Sequence, residues 1–234
     1  MANDSEPQVT SGILNENGMK STKPVMGGEL AAITSTGRLQ IQFPDASVAD
    51  DTRVVGSVVE IVNKSFREAE VGIFLPGYQR THDAEIAQLI RDGLLAVAYI
   101  PARDSPTQQG QNLASSDKPE AMRVVGCVYV TQLSATHGNF GMLALDPDLR
   151  GGGLGRAMVQ FAEDHCRKKG CTIMQLELLV PTSFEHTFKS TIQAWYQRMA
   201  YQVVRLGIFE KEYPTLAPHL AGPVEYRIFE KSLA

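Results

Sequence analysis

Residues 139–171 read N-F-G-M-L-A-L-D-P-D-L-R-G-G-G-L-G-R-A-M-V-Q-F-A-E-D-H-C-R-K-K-G-C. An apolar strand over 140–145 runs into a glycine loop, and the loop runs directly into an amphipathic helix. Leu154, Ala157, Met158, Phe161, Ala162 and Cys166 recur at helical spacing, and Arg167-Lys168-Lys169-Gly170 supplies a cationic last turn and a glycine stop. Between strand and helix, Gly151, Gly152, Gly153 and Gly155 let the backbone adopt positive φ and approach a ligand without an intervening Cβ. A helix that starts inside such a loop offers unpaired N–H groups and the positive end of its dipole, an arrangement that favours a phosphate or pyrophosphate. Arg150 and Arg156 add positive charge at the same place.

A glycine loop alone is also how a chain makes a tight strand-to-helix turn, so its surroundings decide. A dinucleotide-binding unit wants G-x-G-x-x-G near the start of repeated βαβ units, with an acid about 20 residues on. Here the glycines are spaced G-G-G-x-G and lie two thirds of the way along the chain. A phosphate-binding loop of the G-x-x-x-x-G-K-[ST] kind is excluded, because no Lys-Ser or Lys-Thr follows the glycines. A nucleotide-binding oxidoreductase stays open only as a third reading.

In context, Arg150, Gly153 and Gly155 resemble the R/Q-x-x-G-x-G/A acetyl-CoA loop of the GCN5-related N-acetyltransferase (GNAT) superfamily. Ala194-Trp195-Tyr196-Gln197-Arg198-Met199-Ala200-Tyr201 is similar to that family's aromatic helix end followed by a strand, with Met-Ala where Leu-Gly is usual. The resemblance extends over roughly residues 38 to 231. It implies an α/β (α+β) fold of the GNAT acyl-CoA N-acyltransferase type, a mixed, mostly antiparallel sheet of six to seven strands flanked by about four helices. It also implies acetyl-CoA as cosubstrate, an amine acceptor and no metal.

The rest of the chain is consistent with that order. Its 234 residues are 43% hydrophobic, enough for one ordinary core without a metal or disulfide staple. The net charge of −4 lacks the basic footprint of a nucleic-acid binder. No stretch is apolar enough to span a bilayer and no leader pattern opens the chain, so the expected location is cytoplasmic, nucleocytoplasmic included, with no membrane partner. Cys127, Cys166 and Cys171 sit in apolar runs at no metal-ligand spacing and read as small buried hydrophobes. A homodimer is expected by analogy alone.

Residues 1–28 are rich in Ser, Asn, Gly, Pro and acids and read as a flexible tail, leaving 29–234 as a single N-acetyltransferase domain. Strands are predicted over 37–43, 94–100, 122–133, 140–145, 172–180, 201–206 and 224–229. Helices are predicted over 54–66, from Thr81, through 154–169, and on the face marked by Phe188, Ile192, Trp195 and Met199. The polar stretch 101–120 reads as a long mobile hairpin connection.

Acetyl transfer to an amine needs an unprotonated nucleophile, polarisation of the thioester carbonyl and a proton for the departing thiolate. By the resemblance, backbone groups of Met142, Leu143, Ala144 and Leu145 bind the pantetheine arm and the carbonyl on a strand that splays from its neighbour. Arg150, Gly151, Gly152, Gly153, Leu154, Gly155 and Arg156 hold the pyrophosphate. Tyr196 resembles the family's proton donor to sulfur; packing beside Trp195 is its other reading. Many members carry a carboxylate just before the loop, where this chain has Asn139, Phe140 and Gly141. Glu177 is the candidate base in its place, because an acid inside an apolar strand is either solvated or placed for chemistry. Glu185, His186 and a water chain remain open. On the loop 72–80, Phe74 and Tyr78 suit an apolar or aromatic acceptor and Arg80 a carboxylate; an ordinary surface loop with a salt-bridged arginine accounts for it equally. The missing acid also leaves room for a non-catalytic acyl-CoA-binding module of the same fold.

Overall fold

The computed structural model describes residues 30–34, 37–102 and 121–234. The expected tail over 1–28 and nearly all of the connection over 101–120 lie outside the described residues. Eight strands form one sheet in the order β1-β2-β3-β4-β5-β6-β8-β7. They are β1 Leu30–Thr34, β2 Gly37–Gln42, β3 Leu95–Pro101, β4 Met122–Gln132, β5 His137–Leu145, β6 Ile173–Pro181, β7 Gln202–Gly207 and β8 Val224–Ser232. Every neighbouring pair is antiparallel except β5 and β6. The helices are α1 Thr52–Ala69, α2 Asp83–Arg91, α3 Leu154–Lys168, α4 Thr187–Arg198 and a single turn, α5 Phe209–Glu212.

The predicted order of elements stands, with two additions: β1, which raises the strand number to eight, and α5, too short to show a period. The second helix starts at Asp83 rather than Thr81, because His82 takes the N-cap position and its Nδ1 accepts from the Glu85 amide at 3.2 Å.

Both faces of the sheet are covered, which is why β3 reads as a continuous apolar run rather than an alternation. Val58, Val62, Ile86 and Ile90 of α1 and α2 pack on Leu95, Val97 and Cys127. On the other face Leu154, Met158, Phe161 and Cys166 of α3 pack with Ala98, Phe140, Leu176 and Phe229. One buried acid sits among them. Glu163 of α3 accepts from the Tyr201 hydroxyl and from Lys231 Nζ of β8, each at 2.8 Å, so its charge is paired and its lone pairs are used.

The Met-Ala departure at the end of α4 has a structural cost. Ala200 follows the C-cap Met199 with φ +71, the left-handed conformation that favours glycine. Relief of that strain outweighs the extra freedom glycine gives the unfolded chain. Ala200→Gly is therefore expected to raise stability by about 0.5–1 kcal/mol. Urea denaturation checks this, and an unchanged or lowered midpoint at equal slope contradicts it.

Candidate active site

Strands β5 and β6 pair in parallel only from His137↔Ile173 to Asn139↔Gln175. Beyond that point β5 stays on β4 while β6 stays on β8, so the sheet opens along a seam. At the seam β5 carries one extra residue: Cys127 pairs with Ala144 and Tyr129 with Gly141, leaving Met142 and Leu143 opposite Val128. Met142 has φ +44, a conformation a non-glycine side chain holds only where its surroundings impose it. Ser65 of α1 braces this stretch by donating its hydroxyl to the Leu145 carbonyl at 2.9 Å.

The glycine loop lies at the end of β5. Gly151 and Gly153 have φ +88 and +83, and Gly153 is the N-cap of α3 with no side chain capping the helix start. The first amides of α3 are thus left to a ligand or solvent. Arg150 is held beside them by Glu68 at 2.8 Å, with its guanidinium over the Phe188 ring of α4 at 5.8 Å.

A cleft of about 870 Å³ follows the seam. Of the predicted cofactor-binding residues, Met142, Leu143, Leu145, Arg150, Gly151, Gly153, Gly155 and Arg156 line it; Ala144, Gly152 and Leu154 do not. Ala144 packs into the core under α1, and the Leu154 side chain is fully buried beneath α3. Tyr196, Glu177, Phe74, Tyr78 and Arg80 all line the cleft. Glu185 and His186 do not. Glu185 points to solvent and His186 caps α4 through the Lys189 amide.

Glu177 is half-buried, its remaining surface shared with the cleft. Its Oε1 accepts from Asn139 Nδ2 at 2.5 Å and from Gln175 Nε2 at 2.7 Å. Burial pushes its carboxyl above the ordinary range and the nearby Glu212 pushes the same way; the two amide donors and Arg205 pull it back. Asn139, one of the three residues 139–141 found where an acid was looked for, therefore holds the acid on the next strand. Sequence reading missed both amides, since the parallel register that aligns Asn139 with Gln175 joins residues 36 positions apart.

Tyr196 lines the cleft from α4, its ring against Trp195, Phe140 and Tyr201 at 5.0–6.1 Å. Burial pushes its phenol well above the usual tyrosine range, so it stays protonated at any physiological pH. Among the described residues no group of three or more His, Cys, Asp or Glu is placed to hold a metal ion, and no helix is long and apolar enough to cross a membrane.

A family model described as an acetyltransferase (GNAT) domain matches residues 113–203, the part of the chain that holds the opened strand, the glycine loop, α3 and α4. Among solved structures, Ard1 from Thermoplasma volcanium is similar at 15% identity with a TM-score of 0.51, covering 84% of this chain and 98% of that one. YncA from Salmonella typhimurium, solved with its cofactor acetyl-CoA, is similar at 12% identity with a TM-score of 0.49, covering 84% of this chain and 94% of that one. No curated protein matches the chain. The structural likeness is one of fold, and the family match makes residues 113–203 similar to a GNAT acetyltransferase domain.

Proposed function

We propose that residues 29–234 form a single N-acetyltransferase domain, which moves the acetyl group of acetyl-CoA to a primary amine of a small molecule or peptide by direct attack in a ternary complex. The observation that carries this reading is the seam between β5 and β6, with an uncapped helix start at one end and both the half-buried Glu177 carboxylate and the buried Tyr196 phenol among the residues that line its cleft. Acetyl-CoA, when bound, supplies an activated acetyl group. Arg150, Arg156 and the first amides of α3 would hold its pyrophosphate, and the backbone of Met142 and Leu143, bulged out of the β4–β5 ladder, its pantetheine arm. Glu177 takes the proton from the attacking amine as the N–C bond forms, and Tyr196 gives a proton to the thiolate as the C–S bond breaks. Backbone amides are suited to the developing oxyanion because they are already oriented. A non-catalytic binding module drew its support from the acid missing over residues 139–141, and Glu177 supplies a carboxylate among the residues that line the cleft.

The cofactor half of the proposal is tested by Gly155→Trp. Gly155 is helical and a Cβ there would lie 3.7 Å from the Trp195 ring, so the helix tolerates a side chain while a large one fills the cleft. Acetyl-CoA at 100 times its Kd is expected to stabilise the wild-type chain by about 2.7 kcal/mol, and the variant by nothing measurable. Calorimetric melting reads both; an equal shift in the variant removes the cradle from this site.

A further inference from the structure

The cleft has a second polar corner, formed by Tyr78 and Arg80. The Tyr78 hydroxyl and Arg80 Nη1 both line it, both are buried, and neither has a hydrogen-bond partner. They lie close enough for each to influence the other's charge. The corner is built rather than incidental. Asn63 of α1 accepts from the Arg80 amide at 2.8 Å and the Thr81 amide at 3.1 Å, and donates to the Thr81 carbonyl at 3.0 Å. The Leu75 amide is tied to the His219 carbonyl at 2.8 Å, and the Tyr78 ring stacks on Phe74 at 4.3 Å. The guanidinium lies over the Phe66 ring at 5.1 Å. Of the acids near it, Glu70 is bridged to Lys189 at 3.6 Å and Glu85 accepts from the Thr81 hydroxyl at 2.8 Å.

A guanidinium only donates, and a buried donor left unpaired is costly. Two adjacent donors held rigidly in a ligand cleft call for one group that accepts from both. A carboxylate does so with charge on its oxygens, which roughly doubles the strength of each bond. We propose that Arg80 and Tyr78 form a carboxylate subsite, so that the acceptor amine also carries a free carboxylate, as an amino acid does. The inference rests on the N-acetyltransferase reading for its amine half only. Phe74, Tyr213 and Tyr226, which wall the same arm, suit an aromatic or extended apolar body between the two groups.

The experiment uses the full chain and two acceptor pairs differing only in the carboxylate: L-phenylalanine against phenethylamine, and 6-aminohexanoate against pentylamine. Thiol release from acetyl-CoA gives kcat/KM for each. At least one acid is expected to exceed its partner by about ten- to a hundredfold, the range of a charge-assisted hydrogen bond. Arg80→Gln is expected to bring that ratio near one, and Tyr78→Phe, which keeps the stacked ring, to lower it about threefold to tenfold. In parallel, calorimetry measures binding of N-acetylphenylalanine and N-acetylphenylalaninamide to the chain saturated with CoA. Ratios near one in both pairs, with no preference for the free acid in binding, overturn the subsite while leaving transfer to amines intact. Preferential binding of the acid without turnover of any amine upholds the subsite and sinks the transferase reading instead.

Discussion

Glu177→Gln is expected to lower kcat by about 10²–10³-fold, within the range a positioned general base contributes. The exchange is isosteric, and an amide oxygen at the same place still accepts from Asn139 and Gln175, so the strands keep their register. The amine loses only the group that takes its proton. The pH profile separates this from a loss of shape. Burial lifts the Glu177 carboxyl above the usual carboxylate range, so wild-type activity rises with pH as that carboxyl ionises; the variant lacks this limb. Stability moves the other way. Because the folded-state pKa is the higher one, the contribution of Glu177 to folding is fully present below the ordinary carboxylate pKa and is lost as pH rises through the raised value. Once that carboxyl is ionised the wild type bears a partly buried charge that the variant does not, and the variant is expected to be at least as stable there while far less active. A variant with wild-type kcat and an unchanged profile would remove Glu177 from the chemistry.

Tyr196→Phe is expected to lower kcat by about 10²-fold while the KM for acetyl-CoA stays within about twofold, the pattern of an interaction made only in the transition state. The ring contacts with Trp195, Phe140 and Tyr201 survive the loss of one oxygen, so packing is preserved. The loss should be largest where the thiolate most needs a proton, and a substrate thioester with a more acidic thiol should recover part of it. An equal loss for both thioesters, or a rise in KM with constant kcat, would make Tyr196 a packing residue.

The stretch that opened the reading was legible because strand, loop and helix each carry their own local signal: an apolar run, glycines at positive φ, and a 3.6-residue stripe. α1 and β3 were legible for the same reason. What local pattern could not convey was pairing at a distance. β8 runs on to Ser232, three residues past its apolar part, because Lys231 is charged yet satisfied by Glu163 on α3. Glu177 stood equally well as a solvated acid until the β5–β6 register supplied Asn139 and Gln175. The splay at the seam, which makes the cleft, came from the family resemblance and not from any property of residues 140–145 themselves. Arg80 read as a loop arginine, since its burial depends on Asn63 behind it and on the segment around His219 above it.

The measurement that bears most directly on the central claim is thiol release from acetyl-CoA by the purified full chain across a panel of amines, with the acetylated product identified by mass spectrometry. Release that depends on both the amine and the protein, at a rate that Glu177→Gln depresses by at least 10²-fold, is the predicted result. Acetyl-CoA that binds and stabilises the chain without amine-dependent release from any member of the panel would contradict it.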